Sequence, residues 1–229
     1  MATNTTTITY AILGGVIPTL LWLWFWLRED NKINKEPRGL IFFCFIAGAI
    51  MVLPVIPIER FVGTLIGDKT ISVAIWASIE ELAKLIAVGL VAFGSTYLDE
   101  PVDYAMYLIA GALGFAAMEN VFFLIHPLQL SHMTVGLITG NLRFLGSTLL
   151  HAVASALIGI FLGLAYFEGW LAKKVYLFFG LIGAIALHTV FNFFIMNSES
   201  KNIWTTLGFL WVVSIIIILL LEKLKRMKN

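Results

Sequence analysis

Residues 71–93 read ISVAIWASIEELAKLIAVGLVAF. A bilayer span needs about 20 predominantly apolar residues, and outside its centre this stretch meets that requirement. At its centre stand Glu80, Glu81 and Lys84. On insertion scales each such group costs roughly 2.5–3.5 kcal/mol at mid-bilayer. Ionisable groups at that depth are rare and mark a site, a relay or a buried pair. Three further polar groups lie in other apolar runs: Glu119, His151 and His188. Polar groups spread over four separate runs are expected to build one polar site.

The surrounding composition is that of a membrane protein. Of 229 residues, 60% are hydrophobic and 13% charged, where a soluble domain has about 25% charged. Mean hydropathy is +0.94. The net charge of +1 suggests no nucleic-acid partner. The single cysteine, Cys44, excludes an intrachain disulfide and a cysteine-based zinc site. Seven apolar runs are evident: Ile8–Leu27, Leu40–Ile56, Ile71–Phe93, Tyr104–Ile125, Ser147–Phe167, Lys174–Met196 and Ile203–Leu221. The expected fold is therefore all-α, a polytopic transmembrane helical bundle of seven spans forming one domain over residues 1–229. Pro54 and Pro57 are expected to end the second span. The segment Pro127–Gly146, with His132, Asn141 and Arg143, leaves open an interfacial, re-entrant or eighth membrane helix. Met1–Thr7 carries no basic residue, so the first run reads as a retained span rather than a signal peptide.

Lysine and arginine set the expected orientation. With the N-terminus outside, the inner segments hold Arg28, Lys32, Lys35, Arg38, Lys173, Lys174, Lys223, Lys225, Arg226 and Lys228. The outer segments hold only Arg60, Lys69, Arg143 and Lys201. This bias predicts N-out and C-in. Trp22, Trp24 and Trp26 then fall at the inner end of the first span and read as interfacial anchors. His126 and His132 fall in an outer connection and read as solvated or headgroup-level groups.

On a helix, residues three and four apart share a face. Lys84 thus reaches both Glu80 and Glu81 and can pair with one of them. The other is left beside a like charge, a setting that suits a general acid or base. His188 and Asn192 share a face and form a donor set for an oxyanion, or a ligand with its orienter. Counted from the outer end at ~1.5 Å per residue, Glu80, Glu119, His151 and His188 all lie roughly 6–14 Å deep. Small residues around Glu119, from Gly111 to Ala117, favour close helix approach. Ser147 and Ser155 read as small helix residues. No serine triad order and no His-Glu-x-x-His signature is present. What remains is carboxylate and histidine chemistry on water. Either a glutamate takes the proton directly, or a divalent metal such as zinc, with Glu119, His151 and His188 as candidate ligands, activates the water.

The same residues carry a family resemblance. Glu80-Glu81-x-x-Lys84, Phe115-x-x-x-Glu119, His151 and His188-x-x-x-Asn192 resemble the four motifs of the PrsW family of intramembrane proteases, within the CAAX-protease and bacteriocin-processing group. Lys35-Glu36-Pro37 is similar to the family's first loop, and Gly114–Asn120 to its Gly-Phe-Ala-x-x-Glu-Asn segment. Arg143, eight residues before His151, and Ala156–Gly159 also fit. Asn192 departs from the aspartate of PrsW and is similar to the CAAX-protease pattern. The resemblance implies an integral protein of a bacterial plasma membrane. It also implies an endopeptidase that cuts a membrane-anchored protein, such as an anti-sigma factor, near its extracytoplasmic side. Glu80, Glu81, Lys84, Glu119, His151, His188 and Asn192 are then the expected catalytic set. The alternative is a proton-coupled transporter or a non-catalytic membrane scaffold using the same groups. Against it, Leu85–Val91 and Leu157–Leu164 carry no charge and no inverted repeat is visible.

Overall fold

The computed structural model describes residues 5–30, 35–129, 143–197 and 203–227. These hold seven long helices and no strand. They are α1 (Thr5–Trp26), α2 (Arg38–Leu65), α3 (Lys69–Ala92), α4 (Asp103–Gln129), α5 (Thr148–Leu164), α6 (Trp170–Asn197) and α7 (Ile203–Lys225). A 3-10 turn, Leu27–Glu29, follows α1, and a π-helical turn, Arg143–Ser147, leads into α5. Six of the long helices are apolar and long enough to cross a membrane. The seventh, α3, is of similar length but carries Glu80, Glu81 and Lys84. The bundle exposes large apolar side chains outward, among them Leu82, Ile86 and Leu90 of α3 and Phe178 and Phe179 of α6. In water such a surface would drive association; in a bilayer it is the lipid face. The re-entrant or eighth helix considered for the segment after Pro127, and His132 within it, lie largely outside the described residues. The described part shows α4 running through Pro127 to Gln129, with His126 exposed near its end.

Helix α2 does not stop at its prolines. It passes Pro54 and Pro57 and continues to Leu65, where the sequence pattern had placed its end near Ile56. Each proline removes one backbone donor, and membrane helices tolerate this where neighbouring groups re-satisfy the freed carbonyls. The extension brings Glu59 into the helical bundle. A second correction concerns the tryptophans. Trp22 and Trp26 are four residues apart on one face and are buried in the core, while Trp24 points the other way. Only Trp24 is exposed, and Arg28 sits 3.7 Å over its ring.

Helices α4 and α5 form the interior. Nearly every residue of α4 from Ala105 to Ala117, and most of α5, is buried. Helix α4 packs on α1, α2 and α5, while α3 packs on α2 and α6. The α2–α4 crossing is close because it is made through glycine. A Cβ at Gly48 would overlap the Gly111 carbonyl, and one at Gly114 would overlap the carbonyl of Phe45. Small residues replace an interhelical hydrophobic drive with backbone-level packing. Local caps place the helix starts. Asp68 accepts a hydrogen bond from Ile71 N at 2.9 Å at the head of α3. At the far end of the bundle, Asp103 accepts from the backbone of Asp99 and Glu100. Lys225 of α7 there bridges Glu222 and Glu29, tying the last helix to the first.

Candidate active site

Helix α3 contributes adjacent glutamates, and the two play different parts. Glu81 is fully enclosed and saturated. Its Oε1 accepts from Lys84 Nζ at 2.5 Å and meets His188 Nδ1 at 2.7 Å, and its Oε2 accepts from Ser155 Oγ at 3.2 Å. Lys84, equally enclosed, also reaches His151 Nδ1 at 3.0 Å. Its Nζ lies 5.4 Å from the centre of the Phe115 ring. Of the two carboxylates within reach of the lysine along α3, the i,i+3 partner makes the close ion pair.

Glu80 is different. Its Oε2 is enclosed and meets no N–H or O–H donor among the described residues. It lies 3.7 Å from His151 Nδ1 and 3.8 Å from His188 Nε2. The two imidazoles stand edge to face, their centroids 5.1 Å apart.

Each histidine is oriented by its own carboxylate. Glu119 of α4 lies 2.9 Å from His151 Nε2, and Glu81 lies 2.7 Å from His188 Nδ1. A carboxylate accepts, so these contacts place the imidazole proton on the nitrogen facing the carboxylate. The opposite nitrogens then carry the lone pairs: His151 Nδ1 accepts from Lys84 Nζ at 3.0 Å, and His188 Nε2 lies 3.8 Å from Glu80 Oε2. Such carboxylate–histidine pairs fix tautomer and ring orientation in metal centres and raise the basicity of the ligand nitrogen.

The donor set fits a divalent metal. Glu80, His151 and His188 each offer one ligand atom, all within 4.8 Å of one another and all buried. Two neutral imidazoles and one carboxylate form a three-ligand set known from catalytic zinc sites. Glu119, a candidate ligand with His151 and His188 in the sequence, lies 2.9 Å from His151 Nε2. Glu81 pairs with Lys84, and Glu80 and Glu119 lie beside His151.

Asn192, one turn beyond His188, is half-buried and makes no hydrogen bond among the described residues. Two residues escaped the sequence reading. Ser155 read as a packing residue, yet its hydroxyl completes the shell of Glu81. Glu59 was hidden because the second span was closed at the prolines; its backbone carbonyl accepts from the indole N–H of Trp76, one turn before Glu80, at 3.0 Å. A carboxylate within one turn of the Pro57 that was taken to close an apolar run was the available signal.

The chain is similar to known proteins along most of its length. Residues 36–221 match the family described as PrsW family intramembrane metalloprotease. Among curated proteins, the chain is 28% identical to Protease PrsW of Oceanobacillus iheyensis, over 88% of this chain and 91% of that one. It is 27% identical to Protease PrsW of Bacillus subtilis, over 87% and 88%, and 26% identical to that of Geobacillus kaustophilus, over 82% and 80%. No solved structure matches it. The chain belongs to the PrsW family of intramembrane metalloproteases.

Proposed function

We propose that the chain is an intramembrane endopeptidase whose hydrolytic centre is Glu80, His151 and His188, held in place by Glu81, Lys84 and Glu119. The observation that supports this most directly is the convergence of two carboxylate-backed imidazoles on the otherwise donor-free Oε2 of Glu80. Glu81 is bonded through both oxygens and Glu119 is engaged with His151. Glu80 is therefore the carboxylate available to the reacting water. The water oxygen adds to the scissile carbonyl carbon, and its proton passes through Glu80 to the amine that leaves when the C–N bond breaks. Glu81 and Glu119 hold the two imidazoles in their tautomers, and Lys84 pairs with Glu81. In the alternative, a divalent metal held by Glu80, His151 and His188 would lower the pKa of bound water and polarise the carbonyl, with Glu80 serving as ligand rather than base. Asn192, half-buried one turn beyond His188, is the side chain we assign to meet substrate. Exposure fits a one-sided approach, since the side chains of Glu81 and Lys84 are sealed while Glu80 and Glu119 retain 9% and 16%.

The substrate class we infer is a membrane-anchored protein, such as an anti-sigma factor, cut near its extracytoplasmic side in a bacterial plasma membrane. This reading takes the chain as N-out and C-in. The test co-expresses a tagged single-span substrate with Glu80→Gln, His151→Ala and His188→Ala variants. Cleavage is expected to vanish in each, and chelation is expected to inhibit the wild type. Unimpaired cleavage by well-expressed Glu80→Gln and His188→Ala proteins would sink the proposal.

A further inference from the structure

Two polar ties cross the seam between α4 and α5, and they sit side by side. One is the contact of Glu119 with His151 Nε2 at 2.9 Å. The other starts from Asn120, the next residue of α4. Its Nδ2 donates to Thr148 Oγ1 of α5 at 2.9 Å. Both residues are buried, with 2% and 0% exposure. Thr148 precedes His151 by three residues, so the two share a face of α5.

The two helices cross most tightly elsewhere. A Cβ at Gly159 would come within 2.4 Å of the Ala105 Cα, and that crossing lies about two turns of α5 inward of His151. Toward the site the seam turns apolar: Leu113 and Ala117 of α4 share one core cluster with Leu149, Leu150 and Val153 of α5. Apolar contact is non-directional, so it lets one helix roll or splay against the other. Helix α5 also begins at Thr148 straight out of a π-helical turn, and Ser147 lends it no side-chain cap. A roll at this end would carry His151 off Glu119. Consecutive residues of α4 point about 100° apart, and Thr148 and His151 are separated by about 4.5 Å of rise. Two bonds so placed fix rotation and register together, where Glu119–His151 alone would be a pivot. The Asn120–Thr148 bond is enclosed, so losing one partner strands the other without water to replace it.

We propose that Asn120 and Thr148 are positioning residues of the hydrolytic centre, their hydrogen bond holding α4 and α5 at the spacing that seats Glu119 on His151. The effect on rate rests on the protease reading; the effect on helix placement does not. The experiment uses the full chain purified into lipid nanodiscs. It reads kcat and KM on a tagged single-span substrate, and the thermal midpoint of every variant. Thr148→Val keeps the shape and loses the hydroxyl, while Thr148→Ser keeps the hydroxyl and loses the methyl. Removing a group that orients an active-site ligand costs about 10–100-fold, so Thr148→Val should lose kcat by that factor with KM within about twofold. Asn120→Leu should match it, and Thr148→Ser should recover most of the loss. Because the pair acts through Glu119, Thr148→Val/Glu119→Ala should be no slower than Glu119→Ala alone, whereas independent losses would multiply. The midpoint shifts of Thr148→Val and Glu119→Ala should likewise be non-additive. Wild-type kcat in Thr148→Val, an equal loss in Thr148→Ser, or multiplied losses in the double variant would each overturn the proposal. If the wild type cleaves nothing, the protease reading fails separately. Non-additive midpoints would then still support the placement of Glu119 by this pair, and additive ones would overturn it.

Discussion

Replacing Lys84 by methionine should destabilise the protein far more than it changes its shape. The ammonium is fully enclosed and contacts Glu81 Oε1 at 2.5 Å and His151 Nδ1 at 3.0 Å. Methionine is similar in length and apolar, so packing is largely kept and the charge alone is lost. Glu81 would remain enclosed with only His188 and Ser155 as donors. Breaking a buried ion pair from one side costs about 3–5 kcal/mol, because the other charge stays buried without compensation. For a chain of this size each kcal/mol moves the melting temperature by about 2–4 °C, so the expected drop is about 6–20 °C. Removing both charges together is often nearly neutral. The Lys84→Met/Glu81→Gln double variant should therefore recover at least half of the loss while remaining unable to cleave substrate. The assay is thermal unfolding of the purified proteins in one lipid or detergent, with substrate cleavage measured alongside. A Lys84→Met protein as stable as the wild type, or a double variant less stable than both single ones, would refute the reasoning that the pair exists to balance a buried carboxylate.

Glu119→Ala should lower cleavage by about 10–100-fold by freeing His151 to rotate, with a smaller loss for Glu119→Gln; measured metal content should fall in parallel. Gly114→Ala should lower the thermal midpoint, since overpacking costs about 1–3 kcal/mol even where side chains can move and here the obstacle is the Phe45 carbonyl. Gly39→Ala, with nothing within 4 Å of the added methyl, should leave the midpoint unchanged or raise it. At the far end of the bundle, Glu36 is buried, its backbone N–H donates to Asp30 Oδ2 at 3.0 Å, and its carboxyl is faced by the charges of Asp103, Asp30 and Asp99. Burial first, then these acidic neighbours, push its carboxyl from an ordinary 4.5 up to about 9. The folded chain holds a proton there that the unfolded chain does not. That contribution is fully present below pH 4.5 and is lost as pH rises through about 9. Glu36→Gln should therefore flatten the decline of the thermal midpoint between pH 6 and 9, and an unchanged slope would remove Glu36 as its source.

Much of this molecule was legible without coordinates. The energetic cost of charge in an apolar run marks Glu80, Glu81, Lys84, Glu119, His151 and His188 in the sequence alone, because lipid gives such groups no other excuse. Span-length runs separated by short connections suffice for the helical bundle, since the bilayer demands that every backbone group be satisfied within its own helix. Small residues in α4 announced close packing, and α2 does cross there through glycine. Helix periodicity also gave Lys84 two carboxylates to choose between, and it could go no further. The choice of Glu81 depends on His188 and Ser155, which arrive from other helices. The same limit hid the division of labour between the histidines and their carboxylates. It hid Glu59 as well, because a proline pair that ends a helix in water lets one continue here. One-dimensional pattern thus determined which groups the membrane must hide. Only the packing of α2, α3, α4, α5 and α6 against one another decided which group each of them faces, because contacts between helices are not written in the periodicity of any one of them.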